Sequence, residues 1–218
     1  MTIALERKST VDQAAEALRR EILAGELAPG APLREAWLAE RLGIARNTVR
    51  ETLQLLAHQG LVTHEAHRGA TVTLVGEEDV RDIFAVRRML ELEGVRRVER
   101  TDLADLERAV ERLEGAAEEG DWISFADHEA GFHEGLVRRV GSRRLSVAFR
   151  RALRELRVAL AGIDVAQGAD RSLPGYVREH RTILRRIAAG EGKRATDLLA
   201  SHLDSSERMV LRHLRETS

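Results

Sequence analysis

Four side chains in the second half of the chain have the chemistry of a metal-ligand set. Glu129 and His133 stand four residues apart in the run EAGFH, so a helix carries both on one face. His180 falls in REHRTIL and His202 in ASHL, near the middle of two late helical segments expected to pack antiparallel. Three imidazoles and one carboxylate suit Zn²⁺, Ni²⁺, Mn²⁺ or a similar ion. Spacing alone leaves another reading open, because a lone histidine on a helix is more often a surface or capping residue. Asp127 and His128 compete for the acidic role, but helical phase turns them away from His133. His213 lies eleven residues after His202, three turns off, and is not expected to share the ion. Arg87 lies four residues before Glu91, the spacing of an ordinary helical ion pair.

A second group of side chains points to nucleic acid. The run LREAWLAERLGIARNTVRETLQLLAHQGLV, from Leu33 to Val62, reads as two helices joined by a tight turn at Gly43. At about 100° per residue, Val49, Leu53 and Leu56 share one narrow sector of the second helix. Asn47, Arg50, Glu51 and Gln54 face the other way, with Arg46 at the edge of that face. Arg, Asn and Gln are the side chains that bind guanine and adenine edges with two hydrogen bonds. The start of this helix, with Arg46, favours a phosphate. After Gly60 two β-type segments, 61–65 and 70–75, read as a hairpin whose tip carries His67, Arg68 and Gly69, within reach of an adjacent groove. An amphipathic helix in water is the plainer reading of the outer face, but the order helix, turn, helix, hairpin favours DNA.

The elements that position these groups are almost all helices. The 218 residues are 43% hydrophobic and 33% charged, which suits one or two globular domains with real cores. There are no cysteines, so neither disulfides nor thiolate metal sites are available; a reducing, cytoplasmic setting is expected. No apolar run approaches the ~20 residues of a membrane span, and residues 1–8 read as a frayed tail without a signal-peptide core. Net charge is −1, and residues 1–75 hold nine basic and nine acidic side chains, so DNA binding must depend on where charges sit. A first helix carries Val11, Ala14, Ala15, Leu18 and Ile22 at helical spacing, with Ser9 or Thr10 as its cap and Gly25 past its end. Residues 25–32 read as a loop. Beyond Gly76, a plausible hinge, six helices are expected over 77–99, 102–119, 121–140, 143–162, 171–189 and 193–215. The fold class is mainly α: a winged helix-turn-helix over 9–75, then an antiparallel all-α bundle over 77–215.

Residues 10–75, through the 33–62 run and the following RGATV, resemble the winged helix-turn-helix of GntR-type regulators. The resemblance implies DNA contacts at Arg46, Thr48, Arg50, Arg68 and Gly69, and a phosphate contact at Arg34. Ala36 stands where some relatives carry an arginine, which puts the share of the second helix in question. Residues 77–215 resemble the ligand domain of FadR-type members, called FCD. Its pattern of an acidic residue four before a Phe-His pair, a Glu-His-Arg-x-Ile-Leu segment and a late His-Leu is matched in order. That resemblance implies one shared metal site at Glu129, His133, His180 and His202. Glu129 departs from the usual Asp, and its extra methylene shifts the carboxylate. Arg87 resembles an arginine that helps hold an acidic effector near the metal, which stands beside its reading as the partner of Glu91.

The expected function is a DNA-binding transcriptional regulator, most simply a repressor, rather than an enzyme. Helix-turn-helix proteins of this kind act as two-fold homodimers on near-palindromic double-stranded operators. A small organic acid bound near the metal is the expected effector, and no membrane is involved. A metalloenzyme is the competing class, but the chain shows neither a positioned nucleophile nor a second carboxylate-rich metal set. An architectural DNA protein lacks its expected basic excess.

Overall fold

The computed structural model describes residues 9–65, 69–99, 103–160 and 173–217. The expected tail over 1–8, the wing tip with His67 and Arg68, the break at Thr101 and Asp102, and most of the loop before Pro174 lie outside them. Helix α1 (Thr10–Leu23) starts at Ser9, whose Oγ accepts from the Asp12 amide at 3.1 Å while Asp12 accepts from the Ser9 amide at 3.2 Å. This reciprocal cap satisfies two amides that the first turn leaves open. Helix α2 (Glu35–Leu42) stops at Gly43, whose φ of +65° is the left-handed conformation that glycine adopts without strain. Helix α3 (Arg46–His58) follows after two residues and buries Val49, Thr52, Leu53 and Leu56.

Leu18, Ile22, Leu38, Leu53 and Leu56 are all but inaccessible and share one cluster. Each fully buried leucine contributes about 1.5–3 kcal/mol. The paired Arg41 and Glu21, at 2.7 Å but partly exposed, contribute about 0–1 kcal/mol. Apolar packing therefore fixes how α1, α2 and α3 sit together, and the ion pair, which joins α2 to α1, only adds to it.

Strands β1 (Val62–Glu65) and β2 (Gly69–Val72) pair antiparallel, from Val62 with Val72 to Glu65 with Gly69. The second strand is shorter than the alternating pattern implies and ends at Val72. Part of the expected 25–32 loop is strand-like instead. Pro32 bridges Thr71, Leu33 N–H donates to Ala70 O at 2.8 Å, and Val72 N–H donates to Ala31 O at 2.9 Å. Proline has no N–H to offer, so it fits only at such an edge.

The remaining helices are α4 (Glu77–Arg97), α5 (Ala104–Glu119), α6 (Trp122–Arg138), α7 (Arg143–Ala159), α8 (Leu173–Ala188) and α9 (Gly192–Thr217). Helix α6 packs on α4, α5 and α7, while α9 packs on α4 and α8. A Cβ at Gly94 would lie 2.2 Å from the Leu136 carbonyl oxygen. Glycine is what allows α4 and α6 to touch backbone to backbone, and this close crossing brings the α4 side chains Arg87 and Glu91 against Glu129 and His133 of α6. Gly76 sits at φ −91°, ψ 177°, in extended backbone open to any residue, and its N–H donates to Asp79 at 2.9 Å as α4 begins. The apolar core runs past it: Val72, Val75, Val80 and Phe84 belong to the cluster that also holds Leu18 and Leu53.

Candidate metal centre and nucleic-acid interface

Helix α6 supplies Glu129 and His133, α8 supplies His180, and α9 supplies His202. One ligand atom from each lies within 4.8 Å of all the others. The three histidines are buried and Glu129 is partly so. Each ring has its Nδ1 engaged outward: His133 with Glu91 Oε2, His180 with the Tyr176 carbonyl at 2.8 Å, and His202 with Glu179 Oε2 at 2.9 Å. A ring that donates through Nδ1 turns a lone pair inward at Nε2.

The inward nitrogens converge. His133 Nε2 is 2.9 Å from Glu129 Oε1 and 3.3 Å from His180 Nε2, and the buried His202 Nε2 has no hydrogen-bond partner. A buried nitrogen without a partner is costly, and two facing lone pairs repel. A cation satisfies all of them at once, so the residues fit a divalent ion. Burial, with His202 and His133 nearby, holds His180 well below the ordinary histidine range, and burial also lowers His202. Both are thereby kept neutral, the form that ligates. For Glu129, burial opposes the charge, but His133 and Arg87 outweigh it and hold the carboxyl well below its usual range. His133 is raised, because Glu91 and Glu129 outweigh its burial; an ion at this site takes the place of its second proton.

Arg87 is the partner of Glu91 that its spacing predicts. Its Nε donates to Glu91 Oε1 at 2.7 Å, and the side chain is buried. Its Nη2 has no hydrogen-bond partner, lies 3.5 Å from Glu129 Oε1, and helps to line a cavity of about 50 Å³ beside the cluster. Sequence reasoning missed Glu91 and Glu179 as the carboxylates that orient His133 and His202. Glu179 precedes His180 in the recognised segment, but Glu91 carried no signal beyond its spacing from Arg87. Asp127 is turned away from the cluster, as helical phase implied, and pairs with Arg157.

At the other end of the molecule, Arg34, Arg46, Asn47, Arg50 and Gln54 are exposed, Thr48 is half-buried, and Gly69 is exposed at φ +80°. No side chain caps the start of α3, so its first amides stay open. His67 and Arg68 lie outside the described residues. Arg50 is held by Glu35 of α2, with Nη2 at 2.8 Å and Nε at 3.0 Å, and this pairing keeps Glu35 below the ordinary carboxylate range.

Comparison with known proteins matches both halves of the chain to known domain families. The family described as "Bacterial regulatory proteins, gntR family" matches residues 10–72, and the FCD domain matches 82–205. The chain is 28% identical over 202 residues to the "Probable D-xylose utilization operon transcriptional repressor" of Paenarthrobacter nicotinovorans, covering 91% of this chain and 88% of that protein. It is 31% identical over 193 residues to an HTH-type transcriptional regulator in an unstable DNA locus of Streptomyces ambofaciens, covering 85% and 78%. A GntR transcriptional regulator structure from Rhodococcus sp. RHA1 superposes with a TM-score of 0.79 at 30% identity, covering 92% of this chain and 97% of that one. These relatives are transcriptional regulators and not enzymes. The chain belongs to the GntR family of bacterial transcriptional regulators and carries an FCD domain.

Proposed function

We propose that the chain is a homodimeric repressor in the cytoplasm whose affinity for a near-palindromic operator is set by a small carboxylate bound beside a divalent ion. Residues 9–75 form the DNA-binding unit and 77–215 the unit that binds ion and acid. Arg46, Asn47, Arg50 and Gln54 read base edges or phosphates from α3, Thr48 assists them, Arg34 takes a phosphate, and His67, Arg68 and Gly69 of the wing reach the adjacent groove. Glu129, His133, His180 and His202 hold the ion, which is Zn²⁺, Ni²⁺ or Mn²⁺, and which would polarise the acid's carboxylate as a Lewis acid. The observation that carries this reading is the buried, partnerless His202 Nε2, aimed at the same point as His133 and His180. Repressor names among relatives support the sign of regulation: the gluconate operon repressor of Bacillus subtilis is 29% identical over 140 residues, 62% of this chain and 57% of that protein.

A path between the two sites supports the coupling. Arg157 of α7 lines the cavity beside the cluster and also the cleft toward α1. It pairs with Asp127, which lies 3.9 Å from Arg19 of α1. An acid can move the operator equilibrium only by its differential affinity for the DNA-competent and DNA-incompetent dimer, typically about 1–3 kcal/mol. The test loads the protein with each ion, counts ions per chain by elemental analysis, and titrates organic acids into an operator-binding assay. One ion per chain and an acid-dependent change of about 5–150-fold are expected, both lost in the His133→Ala/His180→Ala double variant. Equal metal content in that variant, or an acid that binds without moving operator affinity, rejects the reading.

A further inference from the structure

We infer that the acid taken by the cavity is a monocarboxylate with a compact apolar body, rather than a polyhydroxy acid or a dicarboxylate; this rests on the ion-and-acid reading above. Charge gives the first reason. Arg87 and Glu91 cancel each other in their 2.7 Å pair. Glu129 carries one negative charge and the three histidines are neutral as ligands. A divalent ion therefore leaves these buried groups with one net positive charge; Glu179, on His202, is partly exposed and its charge is screened by water. One carboxylate neutralises that positive charge, whereas a second would stand as an uncompensated buried charge, which is strongly unfavourable. Arg157 does not supply the missing charge, because Asp127 already balances it.

The cavity wall gives the second reason. Its polar groups are a minority: Arg87 and Glu129 beside the histidine cluster, and Arg157, Tyr176, Ser206 and the Trp122 indole N–H elsewhere in the lining. Arg157 is paired with Asp127, and the Tyr176 hydroxyl already donates to Met209 Sδ at 3.0 Å. Phe84, Phe125, Leu153, Leu156 and Val210 supply much of the rest. A hydroxyl lodged against those side chains gives up water without a replacement partner, at a cost of about tenfold or more in affinity each. A volume of about 50 Å³ holds roughly four water-sized groups, which sets a short hydrocarbon body. Arg87 Nη2, which has no hydrogen-bond partner, offers the carboxylate a charged donor at the ion's side, but Glu129, its ion-pair partner at 3.5 Å, repels an acid until an ion neutralises it. Binding must therefore require the metal.

The experiment measures calorimetric affinities of the full-length protein loaded with Zn²⁺, Ni²⁺ or Mn²⁺, using isovalerate, its amide, succinate and gluconate as probes. Isovalerate is expected to bind at least tenfold more tightly than the other three, and the ion-free protein not to bind it. Met209→Gln, which places an amide in the lining at a half-buried position, should weaken isovalerate and narrow its lead over gluconate, with melting temperature as the check on folding. If succinate or gluconate binds the loaded protein as tightly as isovalerate, the ligand class is wrong while the ion-and-acid reading stands. If no acid binds the loaded protein, both fall.

Discussion

Arg50 donates from Nε and Nη2 to Glu35, and that pair defines how the residue can act on DNA. The carboxylate holds the guanidinium on the exposed side of α3, with Nη1 also within 3.5 Å of Asn47 Oδ1. A guanidinium has five N–H donors, so with Nε and one Nη2 hydrogen on Glu35 the Nη1 and remaining Nη2 hydrogens are enough for the two that a guanine edge needs, and Glu35 steadies the fork. Arg50 is exposed and Glu35 partly so, so their pair contributes little to folding stability. Arg50→Ala is expected to cost about 1–3 kcal/mol of discrimination at one base step while leaving the melting temperature unchanged. Competition binding of cognate against scrambled operator measures it; undiminished preference would remove Arg50 from base reading.

The crossing of α4 and α6 is the element on which the candidate metal centre depends. Glu91 reaches His133 across this contact, and Arg87 reaches Glu129 across it. Gly94 permits the approach, since a methyl group there meets the carbonyl oxygen and carbon of Leu136 at 2.2 and 2.6 Å. Backbone atoms cannot rotate aside, so the helices must separate. Overpacking of this kind costs about 1–3 kcal/mol or more. Gly94→Ala should lower the unfolding free energy by at least that amount and weaken ion affinity about 10-fold or more by displacing the Glu91 support. Chemical denaturation and competitive chelation measure the two effects. By contrast, Gly115→Ala, at a helical position where a Cβ meets nothing within 4 Å, should leave both unchanged or slightly improved.

Across the whole molecule, the DNA-binding and helical units share one apolar core, and α1 packs directly on α7. Gly60 also meets that helix, with its Cβ position 3.2 Å from Glu155 Cγ. The polar part of this contact is the run from Arg157 through Asp127 to Arg19. In the proposed coupling, an acid in the cavity that Arg157 lines would bias that run without touching DNA. Asp127→Asn keeps the size of the side chain and removes its charge. Acid affinity of the isolated protein should stay within about threefold, while the acid's effect on operator affinity should shrink to less than about threefold from the ordinary 5–150-fold coupling. Parallel titrations with and without operator measure both quantities. Full coupling in Asp127→Asn would place the communication elsewhere.

Local structure and the candidate ligands were legible from neighbouring residues alone. Ser9 with Asp12, Gly43, and the apolar spacing of Val49, Leu53 and Leu56 are short-range signals, and the helices appear where these residues place them. The strand end at Val72 was less legible, because Pro32 and Leu33 pair with β2 from 37 or more positions away, and no local pattern encodes a partner that distant. The same holds for the metal centre. Spacing put Glu129 and His133 on one face, but His180 and His202 are brought to them only by the packing of α6, α8 and α9. Glu91 and Asp127 are two acidic residues among 36, and nothing adjacent in the chain marks one as a support for His133 and the other as the partner of Arg157. Those roles come from which helix faces meet. Helix crossing is set by the summed fit of many buried side chains and by the one close approach at Gly94, a property of the folded whole rather than of any segment.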